Sequence, residues 1–205
     1  MVHRSLLLAA LIALPLAASA ANLSSGFSES DEGWTTPVGG TQTWEAAGGN
    51  PGGWVRVLDT DNNTNIELTA PANWLGDWSG FLGGTLSFDA KNANGAPVTY
   101  GGFGEVRITG TGGTVLVLDL ALANEPAGDQ WHRYSVSLTP AAGWGPSLVS
   151  VLANVTNVSI TGEFQAGPGE AVGFDNIRVT AVPEPASLAL LLGGLALLAS
   201  RRRWR

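Results

Sequence analysis

Trp74, Asp77 and Trp78 fall within the short stretch NWLGDWSG, where two indoles flank a carboxylate. Indole faces stack on the C–H surfaces of sugar rings and a carboxylate accepts hydrogen bonds from sugar hydroxyls, so this spacing suits a carbohydrate platform. Tyr100 and Trp144 lie in other glycine-rich stretches and extend the ligand-binding candidates. The alternative is that Trp74 and Trp78 fold inward and cover one end of the domain; Trp34 and Trp131 are assigned to core packing. A second group consists of carboxylates and amides. Asp59-Thr60-Asp61-Asn62-Asn63 concentrates the hard oxygen ligands that Ca2+ takes, without the glycine and distal glutamate of an EF-hand loop. Turn chemistry accounts for the same residues without a metal, because Asp and Asn side chains bond their own backbone.

Catalytic constellations are sparse. His3 belongs to the leader described below, which leaves His132 as the candidate base at neutral pH. It alternates with Tyr134 and Val136 on one face of a strand, the setting of a structural histidine. Neither a Gly-x-Ser-x-Gly elbow, a His-Glu-x-x-His pair nor a phosphate-binding loop is present. Seventeen acidic residues allow many carboxylate pairs of the kind that hydrolyse glycosides, but a linear spacing does not set two of them across a cleft. The expectation is therefore a protein that is not an enzyme, with a glycoside-active one ranked behind it.

Both ends of the 205-residue chain have the composition of trafficking segments. At the N-terminus MVHR, an apolar run from Ser5 to Ala17 and the small residues Ala18-Ser19-Ala20 read as a signal peptide, 1–20, removed by signal peptidase. At the other end an uncharged apolar run, Ala186 to Ser200, predicts a helix of about 22 Å, short of the roughly 30 Å hydrocarbon core of a bilayer. Arg201, Arg202, Arg203 and Arg205 would hold its far end on the cytoplasmic side. Between Arg4 and those arginines stand five basic and seventeen acidic residues, a net charge of about −12. Such a domain is repelled by phosphate backbones, which excludes nucleic acid as a partner, while the same charge attracts calcium. The chain has no cysteine, so neither a disulfide nor a thiolate ligand contributes.

The elements that must position these groups are strands. Apolar residues recur at every second position: Val55 and Val57, Ile66 and Leu68, Leu86 and Phe88, Val106 and Ile108, Tyr134, Val136 and Leu138, Val158 and Ile160, Ile177 and Val179. The run VLVLDL, Val115 to Leu120, is apolar on both faces and is predicted to be a central strand, preceded by a glycine turn at 110–113. Leu148, Val151, Leu152 and Val155 recur at helical spacing, which predicts one short helix from Ser147, its N-cap, to about Ala153. Eight or more strands and one helical turn make an all-β fold of two packed antiparallel sheets.

Two resemblances add to this reading. Pro183-Glu184-Pro185, a short apolar helix and the terminal arginines resemble the PEP-CTERM sorting signal of bacterial exported proteins. That resemblance implies recognition by an exosortase at Pro-Glu-Pro, a transient inner-membrane tether over 182–205, and then removal of the tail. The segments GFSESDEGWT, GGNPGGWVRVLD, APANWLGDWSGFLGGTLSFD, WHRYSVSL, VLANVTNVSITGEF and FDNIRV resemble a laminin B domain, also called laminin IV type A. This likeness implies a jelly-roll β-sandwich over 21–181, similar to carbohydrate-binding modules. In such modules an acidic residue near the last strand and one near the first share a structural ion, here Asp175 with Glu29 or Asp31. The expectation is an exported cell-surface or matrix protein that binds extracellular polysaccharide; the alternative is a structural matrix component without a specific ligand.

Overall fold

The computed structural model describes residues 22–182 except 123 and 127; the predicted leader and the tail from Pro183 onward lie outside the described residues. Alternating side chains form ten strands: β1 (Asn22–Ser25), β2 (Gly40–Gly49), β3 (Gly52–Asp59), β4 (Glu67–Thr69), β5 (Thr85–Asn92), β6 (Glu105–Gly110), β7 (Val115–Asp119), β8 (His132–Ser137), β9 (Val155–Thr161) and β10 (Ala171–Thr180). The larger sheet has the order β2-β3-β10-β5-β8, with β1 also paired to β10, and the smaller has the order β4-β9-β6-β7. All of these pairings are antiparallel.

The two sheets bury their facing sides against each other, as the period-two pattern requires. Val55 and Val57 of β3, Leu86, Phe88 and Ala90 of β5, and Phe174, Ile177 and Val179 of β10 meet Leu68, Val106, Ile108, Val158 and Ile160 of the smaller sheet. Each large apolar side chain so enclosed contributes roughly 1.5–3 kcal/mol. One helix, α1 (Leu148–Leu152), buries Leu148, Val151 and Leu152. Among the described residues no helix is long and apolar enough to cross a membrane.

Three local expectations change. The run in β7 is not central: it forms an edge of the smaller sheet, paired with β6, and Val115 and Val117 are exposed. Its second apolar face, with Val115 and Val117, is open to solvent. Ser147 precedes α1, but its hydroxyl makes no capping bond. Trp131 leaves the core for the outer face of the larger sheet, edge-on to Trp54 at 5.8 Å. There the ammonium of Lys91 lies 4.1 Å from the Trp54 ring and 4.5 Å from the Trp131 ring, a cation–π arrangement that keeps Trp131 at the surface.

Candidate functional site

Three connections meet at the end of the sandwich where β3 stops and β10 starts: 60–66, 93–104 and 162–170. Antiparallel pairing continues past the strand end, with the Asp59 amide donating to the Glu170 carbonyl at 2.9 Å. The amides of Thr99 and Tyr100 both donate to the Phe164 carbonyl, at 2.9 and 3.0 Å, and the Gly162 amide donates to Ile66. These bonds hold the loops around a cleft of about 240 Å³ lined by Asp61, Asn62, Asn65, Tyr100 and Glu163, among others. Tyr100 is 43% exposed there, and Asn65 Nδ2 donates to its hydroxyl at 3.4 Å.

Asp59, Glu163 and Glu170 are buried at the base of this end, with one carboxylate oxygen of each within 4.8 Å of the others. Asp59 Oδ1 accepts from the Asp61 amide at 2.9 Å, Glu163 Oε2 from Ile66 at 3.2 Å and Glu170 Oε1 from Gln165 at 3.3 Å. Burial pushes the Glu163 carboxyl up to about 7; the Ile66 amide opposes the shift, and the charges of Glu170 and Asp59 add to it. Glu170 is raised as well, by burial first and by Asp59 beside it. Sequence inspection missed Glu163 and Glu170. They stand more than a hundred positions from Asp59, and what joins the three is strand pairing, which leaves no local spacing to read.

The remaining candidates are dispersed. Trp74 and Trp78 are 2% and 1% exposed, so the expected stacking platform is not formed and the inward-folded alternative holds. The indole N–H groups of Trp34 and Trp74 both donate to Ser25 Oγ, at 2.9 and 3.1 Å, and that of Trp78 donates to the Trp74 carbonyl at 2.7 Å. With Phe81 they make a continuous run of edge-on and tilted rings at the end of the sandwich opposite the cleft. Asp77 is exposed but accepts from the Ser79 amide at 2.8 Å, as a turn residue does, and that bond lowers its pKa. Trp144 is also buried, its indole donating to the Ser137 carbonyl at 3.1 Å. Of the five ligand-binding candidates only Tyr100 presents a ring to solvent at a cleft.

The carboxylate candidates divide similarly. Asp61 accepts from Asn63 and Thr64, the turn chemistry expected of this loop, while Asp59 points inward to the buried group. Asp175 of β10 sits beside the turn that joins β2 to β3. Its oxygens accept from the amides of Asn50 at 2.5 Å and Asn176 at 2.6 Å, and it lies opposite Asp89 in the sheet. Burial raises the Asp175 pKa, the two amides oppose that shift, and Asp89 adds to it. Asp31 instead takes hydrogen bonds from Gly33 and Gln42. Gln42 pairs with Val57, whereas Asp175 lies at the level of Trp54, about 10 Å along the strand. Glu29 is exposed in the same loop as Asp31. Among the described residues neither Asp31 nor Glu29 shares a hydrogen-bond partner with Asp175.

Residues 181–203 match the PEP-CTERM protein-sorting motif, which includes Pro183, Glu184, Pro185, Arg201, Arg202 and Arg203. The motif implies an exported protein, recognised by an exosortase and processed at a membrane. No curated protein matches the chain. Among solved structures, the L4b domain of human laminin alpha-2 aligns with 62% of this chain and 79% of its own, at 15% identity and a TM-score of 0.49. An exo-beta-agarase aligns over 77% of this chain at 15% identity and a TM-score of 0.54. A second agarase aligns over 78% at 11% identity and a TM-score of 0.52. The chain covers 24% and 25% of those two proteins, about a quarter of their length. At these identities the likeness is one of fold, the two-sheet β-sandwich.

Proposed function

We propose that this chain is an exported, non-catalytic module of the cell surface or extracellular matrix that binds polysaccharide in the cleft beside Tyr100. The observation that carries the proposal is the exposed Tyr100 ring set among the side chains of Asp61, Asn62, Asn63 and Asn65. An aromatic face offers stacking to the apolar side of a pyranose, and amides and carboxylates beside it match the donors and acceptors of its hydroxyls. The sorting motif supports delivery to the outside, with signal peptidase and an exosortase acting in turn. The two agarases carry a sandwich of this fold in proteins that act on a polysaccharide.

The test is retention of the purified chain on a panel of polysaccharides, agarose and the host's own exopolysaccharide among them. Saturable retention is expected, with Tyr100→Ala weakening it about tenfold, the equivalent of roughly 1.4 kcal/mol, and Asn65→Ala weakening it less. Absence of retention on every member, with circular dichroism intact, would favour a structural matrix component that has no specific ligand. Release of new reducing ends from any member would overturn the non-catalytic reading.

A further inference from the structure

The buried carboxylates at the cleft end are left incomplete by the described residues. Asp59 is 2% exposed and Glu170 0%, yet Asp59 Oδ2 and Glu170 Oε2 have no hydrogen-bond partner. Among the described residues no lysine, arginine or histidine pairs with Asp59, Glu163 or Glu170: the ion pairs found there join Arg107 to Glu67 and Glu105, and Arg133 to Asp89. Three carboxylates closed on one another, with two orphaned oxygens and no cationic side chain, call for a counter-charge that none of the described residues supplies.

We infer that Asp59, Glu163 and Glu170 hold a hard divalent cation, Ca2+ in preference to Mg2+. Two oxygens bound to one Ca2+ at about 2.4 Å lie at most about 4.8 Å apart. The three carboxylates are close enough for one such ion to bridge them. Mg2+, at about 2.1 Å, demands a near-ideal octahedron and gives up its own waters reluctantly. Oxygen donors alone, from irregular backbone at a strand end, suit the looser coordination of calcium. The amides of Asp61, Ile66 and Gln165 each orient one of the carboxylates. Glu163 also lines the cleft, which gives an ion and its waters a way in. Bound there, the ion would tie the end of β3, the residue leaving β9 and the start of β10 together, and so hold the cleft loops in place. The inference concerns the ion alone and stands whether or not the cleft takes a glycan.

The experiment uses the purified full chain, stripped with EGTA and titrated with CaCl2 or MgCl2 by calorimetry in the absence of polysaccharide, with melting followed in parallel. One Ca2+ per chain is expected, with a rise in Tm of about 5 °C at saturation and a weaker response to Mg2+. Glu163→Gln and Glu170→Gln should each weaken Ca2+ binding at least about tenfold, while Glu29→Gln and Asp77→Asn bind as the parent does. In EGTA the Glu163→Gln chain should melt no lower than the parent, because the change removes one of three crowded charges; this separates a lost site from a lost fold. Terbium luminescence sensitised by the aromatic residues gives a second reading of occupancy. The inference is overturned if the parent chain shows neither heat nor a Tm shift with millimolar Ca2+. It is equally overturned if Glu170→Gln binds like the parent, or if Asp175→Asn is the change that abolishes binding.

Discussion

Tyr134 shows how a single residue couples packing to protonation. Its ring stacks on Phe88 at 5.2 Å, and its hydroxyl donates to the Asn124 carbonyl at 2.8 Å. Burial, with the charge of Glu125 adding to it, pushes the phenol up to about 12. The folded chain therefore keeps a proton that the unfolded chain releases near its ordinary value of about 10. Stability from this group is complete below about pH 10 and is lost as pH climbs toward 12. Near-ultraviolet absorbance should show one of the two tyrosines ionising only toward pH 12, and the urea midpoint should fall between about pH 9 and about pH 11. A phenolate signal from both tyrosines at about pH 10 in folded protein would refute this.

At the scale of elements, the closed end and the open end of the sandwich use aromatic residues differently. The segment between β4 and β5 turns twice and carries Trp74, Trp78 and Phe81 between the sheets, where Ser25 of β1 serves two indoles at once. Trp78→Ala is expected to cost about 3–5 kcal/mol in urea unfolding, the usual loss for a large buried ring. Polysaccharide retention per folded molecule should stay unchanged. A loss of retention with stability intact would return the ligand site to this end. The turn joining β2 to β3 is held in another way. Asn50 donates through its backbone to Asp175 and through its side chain to Asp89, and Asn176 donates to Asp89 at 2.9 Å. The GGNPGG and FDNIRV segments, far apart in the chain, therefore meet in one polar network over the larger sheet. Gly53 sits where a Cβ would come 2.3 Å from the Phe27 carbonyl oxygen and 2.8 Å from the Trp44 indole nitrogen, so only glycine lets β3 pass beneath that contact.

For the whole molecule, the sorting motif and the sandwich are separate parts of the chain, and the motif bears on delivery. Changing Pro183, Glu184 and Pro185 to alanine should leave the chain membrane-associated with its tail intact in the native host, whereas the parent loses the tail. Fractionation with mass spectrometry of the C-terminus reads this directly. Tail removal unaffected by the change would sever the motif from processing. The strongly acidic composition keeps such a module away from other polyanions unless cations mediate, which fits an ion site beneath its open end.

Period-two alternation was enough to establish an all-β domain, because a strand that buries one face must repeat its apolar residues at that interval. Val55, Val57, Leu86 and Phe88 were placed correctly on that ground, and so was the short helix near Leu148. The sorting tail was legible for a similar reason: its recognition depends on a contiguous string of residues. Which aromatics face solvent was not legible. Trp74 and Trp131 have the same chemistry, and their fates depend on whether a serine hydroxyl or a lysine ammonium waits across the fold. Nor was the acidic group at the cleft, since Asp59 and Glu170 become neighbours only when β3 and β10 pair, and Glu163 joins them only through the connection that carries the chain from β9 of the other sheet; burial of both sheets sets this, and no local pattern records it.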